Sequence, residues 1–105
     1  MSDIPYIEKY GCEKVKRTIQ CCKTLEQFEI SDNYRKLFNY RVFNRNGYNI
    51  GYLDCSNYKV LMNLMVFEYK GDKKFQEIMK AVNDIGKIKK RKREELEEKF
   101  GILKE

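Results

Sequence analysis

The residues most able to do chemistry lie near the end of this 105-residue chain. Lys87, Lys89, Lys90, Arg91, Lys92 and Arg93 form a basic run with no acid among them. Cations that dense on one helix track phosphates, and each phosphate neutralised releases counterions, so binding weakens as salt rises. Arg41 and Arg45 are a second basic pair that could assist. A competing reading follows at once, because Glu94, Glu95, Glu97 and Glu98 come next. Lys90 with Glu94, Arg91 with Glu95, and Arg93 with Glu97 are i, i+4 neighbours, each pair stabilising a helix by about 0.2–0.5 kcal/mol. On that reading the run is a solvated, self-paired face.

The overall charge of +6 needs a discount. Phe, Tyr, Met, Ile, Asn and Lys supply 51 residues and Gly, Ala, Arg and Pro only 14, the skew that an A+T-rich genome writes. Part of the lysine excess therefore reflects codons. Its location is more informative than its size, since residues 73–105 alone hold +4.

Other chemistries are poorly supplied. Without histidine there is no Ser-His-Asp or Cys-His catalysis and no His-ligated metal. Neither phosphate-cradling glycine motif occurs. Cys12, Cys21, Cys22 and Cys55 lack the paired C-x-x-C spacing of a metal site. Cys12, Val15, Ile19 and Cys22 instead fall on one apolar helical stripe, which makes Cys12 and Cys22 core residues. The expectation is a non-enzymatic protein with no catalytic residues, no metal and no cofactor. A polar start carrying Asp3 is not a signal peptide, and no apolar run approaches the roughly 20 residues of a membrane span. A reducing, cytoplasmic location follows as an expectation.

The elements that must position these groups read as one small domain over 1–105, in which 87–105 either projects as a charged helical extension or bends at Gly86 to pack back. A first helix runs from about Ile7 or Tyr10 to Cys22. Thr24 and Gln27 form a capping box that starts a second, with Ile30, Tyr34, Leu37 and Phe38 on its inner face. Asn46-Gly47 then lies between Tyr40–Phe43 and Tyr48–Leu53, the composition of a two-residue hairpin turn. That hairpin would carry Arg41, Phe43, Arg45, Tyr48, Ile50 and Tyr52 on one face, with Tyr48 and Tyr52 as interaction residues. A competing arrangement continues the second helix through Val42 and leaves 44–54 irregular. Residues 58–69 are apolar on every side and form the centre of the core, as a helix capped by Ser56 or as a strand. Asp72 caps a long last helix with Phe75, Ile78, Val82 and Ile85 inward, Gly86 as a bend or an interruption, and a second stripe at Leu96, Phe100 and Leu103. The fold class expected is α+β and helix-dominated: an N-terminal helical pair, a central β-hairpin and a long C-terminal helix.

Three functions fit this reading. The leading one is a basic protein that contacts nucleic acid through Lys87–Arg93, with Arg41 and Arg45. The second is a protein-binding inhibitor or adaptor from a phage or mobile element, such as an inhibitor of host defence. The third is a homodimer paired through Leu96, Phe100 and Leu103. No membrane partner is expected.

Overall fold

A computed structural model describes residues 9–100. Four α-helices follow in chain order: α1 (Lys9–Gln20), α2 (Leu25–Arg45), α3 (Tyr58–Asn63) and α4 (Lys73–Phe100). A 3-10 turn at Asp54–Ser56 precedes α3, and a π turn at Leu64–Glu68 follows it. The described residues are 81% helical and include no strand, so the class is all-α and the α+β expectation is corrected.

The correction centres on Asn46-Gly47. Thr24 caps α2 by accepting from the Gln27 amide at 3.1 Å, while Gln27 Oε1 accepts from the Lys23 amide at 2.8 Å. From there the helix runs without a break to Arg45, absorbing what would have been the first strand. Gly47 has φ +91, as a hairpin turn would also ask, but Asn46 has φ −96, which a type I′ turn forbids. The Gly47 amide donates to Asn44 O at 3.2 Å and the Tyr48 amide to Phe43 O at 3.0 Å. These are the two bonds of a Schellman cap, and the Phe43 and Tyr48 rings supply its apolar contact, edge-on at 6.3 Å. Asn-Gly thus closes a helix here. Tyr48–Leu53 is irregular, and the expected face of Arg41, Phe43, Arg45, Tyr48, Ile50 and Tyr52 does not exist.

Residues 58–69 also differ from expectation. Asn57, not Ser56, caps α3, its Oδ1 accepting from the Lys59 and Val60 amides. Only Leu61 is fully buried in this segment, so it covers the edge of the core instead of forming its centre. The Tyr69 amide reaches back to Leu64 O at 2.7 Å, and that wider turn leaves Val66 and Phe67 exposed. Gly71, at φ +79, turns the chain into α4, where Asp72 Oδ1 accepts from the Phe75 amide at 3.1 Å.

Helix α4 is unbroken through Gly86. At about 1.5 Å per residue its 28 residues match the 43 Å long axis of the molecule. One apolar cluster gathers Val42, Phe43, Tyr48, Ile50, Cys55 and Leu61 onto Phe75, Ile78, Met79 and Val82. A second joins Cys12, Val15, Ile19, Cys22 and Phe28 to Ile85 and Leu96. Leu96 is buried in the second cluster with residues of α1, so α4 is packed on the body as far as that residue.

Two glycines therefore respond oppositely to substitution. Gly47→Ala forces a side chain into the left-handed region and lowers stability by about 1 kcal/mol. Gly86→Ala meets nothing within 4 Å and gains helix propensity, raising stability by about 0.5–1 kcal/mol. Thermal unfolding of the two variants beside the parent checks both signs.

Candidate functional site

The inward line of α2 is Phe28, Ser31, Arg35, Asn39, Val42 and Phe43. Its two ends sit in different apolar clusters, and its middle is polar. Of the expected inner face, Tyr34 and Phe38 are half-buried and pack against the apolar clusters, beside the fully buried line, while Ile30 is not part of it. Ile30 is 69% exposed.

Asp32 organises this polar middle. Its Oδ1 lies 2.7 Å from Arg35 Nε and 3.1 Å from Lys89 Nζ, and its Oδ2 lies 3.8 Å from Lys36 Nζ. Burial opposes ionisation of Asp32, but the hydrogen bond and charge of Arg35, then those of Lys89, outweigh it and hold the carboxyl below its ordinary value. Lys89 is also held below its ordinary value, by burial first and then by the Arg35 charge, even though Asp32 pulls the other way. The charge contributions to both shifts have one source. Three cations share one carboxylate, so the carboxylate gains charge partners while each cation also meets its like.

The basic run accordingly divides. Lys89 faces inward to Asp32, Lys92 pairs with Glu95 at 3.3 Å, and Arg93 Nε pairs with Glu97 at 3.1 Å. Lys87, Lys90 and Arg91 are exposed and in no ion pair among the described residues. Of the three self-pairings the spacing offered, Arg93–Glu97 is the one that forms. Arg41 and Arg45 are exposed on α2, but lie six and ten residues beyond Arg35. That is about 9 and 15 Å along the axis, so they are not gathered into the same patch.

The interaction residues separate as well. Tyr48 is 5% exposed and donates to Asp72 Oδ2 at 2.7 Å, so it is a core residue and not a surface anchor. That hydrogen bond, ahead of the one from the Phe75 amide, holds the Asp72 carboxyl below its ordinary value. Tyr52 is at the surface, its ring edge-on to Tyr40. Leu96 is taken up by α1, which removes it from any dimer seam. Phe100 is half-exposed, and Leu103 lies outside the described residues. Cys12 and Cys22 are buried in the second cluster, and burial raises the Cys12 thiol above its ordinary value. Cys55 is wholly buried, its thiol pushed up to about 11 by burial and then by Asp54. No helix among the described residues is long and apolar enough to cross a membrane.

Sequence reasoning missed Asp32, Arg35 and Asn39. The available signal was polar: Ser31, Arg35 and Asn39 recur every four residues between Phe28 and Val42, a helical line with apolar ends. No family model, curated protein or solved structure matches this chain.

Removing the shared carboxylate exposes how the cluster works. Asp32→Asn leaves Arg35, Lys36 and Lys89 facing one another, and costs about 3 kcal/mol, as breaking a buried pair does. The folded Asp32 carboxyl titrates below its unfolded value, so its contribution is complete above about pH 4 and fades as pH falls through the folded value. Denaturant unfolding from pH 7 downward should show parent and variant far apart at neutral pH and converging in acid.

Proposed function

We propose that this protein is a non-enzymatic binding protein that meets the nucleic-acid backbone with the outer face of α4. The observation that carries this reading is the exposed trio Lys87, Lys90 and Arg91, within little more than one turn and in no ion pair among the described residues. Phosphates along one strand recur at intervals a helix turn can match, and unpaired cations displace condensed counterions where paired ones do not. Glu94 lies beside the trio and limits its field. The site is thus smaller than six adjacent bases imply, and its affinity rests on few contacts.

Salt dependence measures that size. Three phosphate contacts give a slope of log affinity against log salt near −3 for duplex DNA, where six would give about −5. Fluorescence anisotropy with labelled DNA and RNA at low ionic strength, repeated with Lys87→Glu, Lys90→Glu and Arg91→Glu combined, should show binding that the variant loses. No binding of either polymer by the parent overturns the reading.

A protein partner is the second reading, favoured by one feature. The π turn holds Phe67 out at 77% exposure, with Val66 and Tyr58 exposed on the same short segment. Large side chains displayed in this way are what an inhibitor or adaptor presents to its target. On this reading Phe67→Ser abolishes co-purification of a stoichiometric partner while leaving the melting temperature unchanged. Retention of the same partner by the variant would remove this surface from consideration.

A further inference from the structure

A cavity of about 250 Å³ opens between α2 and α4, with Ser56, Tyr58 and Leu61 from the α3 segment also in its wall; Lys87 and Arg91 of the outer trio do not line it. Four cations line it, Arg35, Lys89, Lys90 and Arg93, and no carboxylate does. Asp32 pairs with Arg35 and Lys89, and Glu97 with Arg93, both from outside the lining. Lys90 is in no ion pair among the described residues, and four cations set against two carboxylates leave an excess of two positive charges. Arg35 is 6% exposed, and its one hydrogen bond among the described residues is from Nε to Asp32. Its remaining guanidinium N–H groups are thus available to a ligand in the cavity it lines.

Asn39 gives an independent indication. It is wholly buried in the same lining, and its Nδ2 donates to Cys55 O at 3.3 Å. Its Oδ1 has no partner among the described residues. Buried acceptors are rarely left so, and this one calls for an O–H or N–H donor. At the mouth stands Tyr58, half-exposed, an aromatic face of the kind on which any base stacks.

We propose that the α2–α4 cleft binds the terminal phosphate monoester of a nucleotide, free in solution or at the end of a strand. A phosphate monoester carries nearly two negative charges at neutral pH, which matches the excess of two positive charges at the cleft, whereas each backbone diester carries one. The cavity is smaller than the roughly 300–1,000 Å³ that encloses a whole drug-sized ligand. It therefore takes the phosphate and the sugar edge, a ribose hydroxyl meeting Asn39 Oδ1, and leaves the base outside against Tyr58. The depressed titration of Lys89 accords with this, since a bound dianion supplies the counter-charge that Asp32 alone divides among three cations. The proposal shares Lys90 with backbone binding by the outer face and is told apart from it by Lys87 and Arg91, which do not line the cleft.

Titration calorimetry at physiological ionic strength tests it, with AMP, adenosine, inorganic phosphate, and one RNA single strand, whose 2′-hydroxyl is free, with and without a 5′-phosphate. AMP should bind more tightly than inorganic phosphate, and adenosine should not bind. A 5′-phosphate that strengthens strand binding assigns the ligand to strand ends; no such effect beside AMP binding assigns it to free nucleotides. Gly86 lines the cleft and nothing lies within 4 Å of an added Cβ, so Gly86→Asp brings a carboxylate to the wall of the cleft. This variant, and Arg93→Gln at an exposed position, should each weaken AMP by roughly tenfold or more, the effect of one charge-assisted hydrogen bond. Lys87→Glu with Arg91→Glu should leave AMP affinity unchanged while diminishing backbone binding. Equal binding of AMP and adenosine, equal binding of AMP and inorganic phosphate, no binding of AMP, or parental AMP affinity in both cleft variants overturns the proposal.

Discussion

The Asp32 carboxylate decides how α2 and α4 meet. Arg35 is buried one turn along from it on α2, and Lys89 approaches from α4. Desolvation of these charges offsets much of their attraction, so the cluster is not a large source of net stability. Its consequence is directional. Lys89 must reach from α4 the carboxylate that Arg35 already holds on α2, which ties the rotation of α4 about its axis to its register along α2. The apolar clusters on either side could tolerate a slip of packing; a part-buried Lys89 drawn away from its carboxylate and left beside Arg35 could not.

That rotation sorts the basic residues of α4. With Lys89 directed to α2 and Leu96 to α1, the remaining cations have little freedom in where they point. Lys87 and Arg91 go outward to solvent, Arg93 lies along the cleft, and Lys90 is both exposed and part of the cleft lining. A run that is uniform in sequence becomes an outer face and an inner one. The difference is dielectric as well as geometric. The outer charges act through water and are screened by salt, while those near Arg35 act across a partly enclosed cleft, where screening is weaker.

Much of the helical framework was legible, because local chemistry writes it. The stripe of Cys12, Val15 and Ile19, the Thr24–Gln27 cap and the Asp72 cap each depend on residues within two turns of one another. Asn46-Gly47 was misread because a hairpin turn and a Schellman cap both need glycine at positive φ. What separates them is whether residues 40–45 have somewhere to bury a helical face, and Val42 and Phe43 find it on Phe75. That contact is more than thirty residues away in sequence. The inner line of α2 was hidden for a related reason. Apolar periodicity finds apolar faces, and this helix turns Ser31, Arg35 and Asn39 inward while leaving Ile30 in solvent.

A polar layer inside so small a protein is itself an argument about function. A chain of this size has few buried positions with which to overcome conformational entropy. Filling three positions of one line with Ser31, Arg35 and Asn39 forgoes apolar burial there, and only partly satisfies the groups placed in its stead. Ser31 is satisfied locally, donating to Phe28 O at 2.7 Å. Arg35 and Asn39 are not: one has guanidinium N–H groups beyond its single bond to Asp32, and the other an acceptor without a donor. Both line the same cleft between α2 and α4. If the layer served only to fix register, apolar residues at 35 and 39 with a shorter polar pair elsewhere would do so at lower desolvation cost. The groups left over are a cationic donor and a neutral acceptor side by side, which is the complement of an anion that carries a hydroxyl beside it.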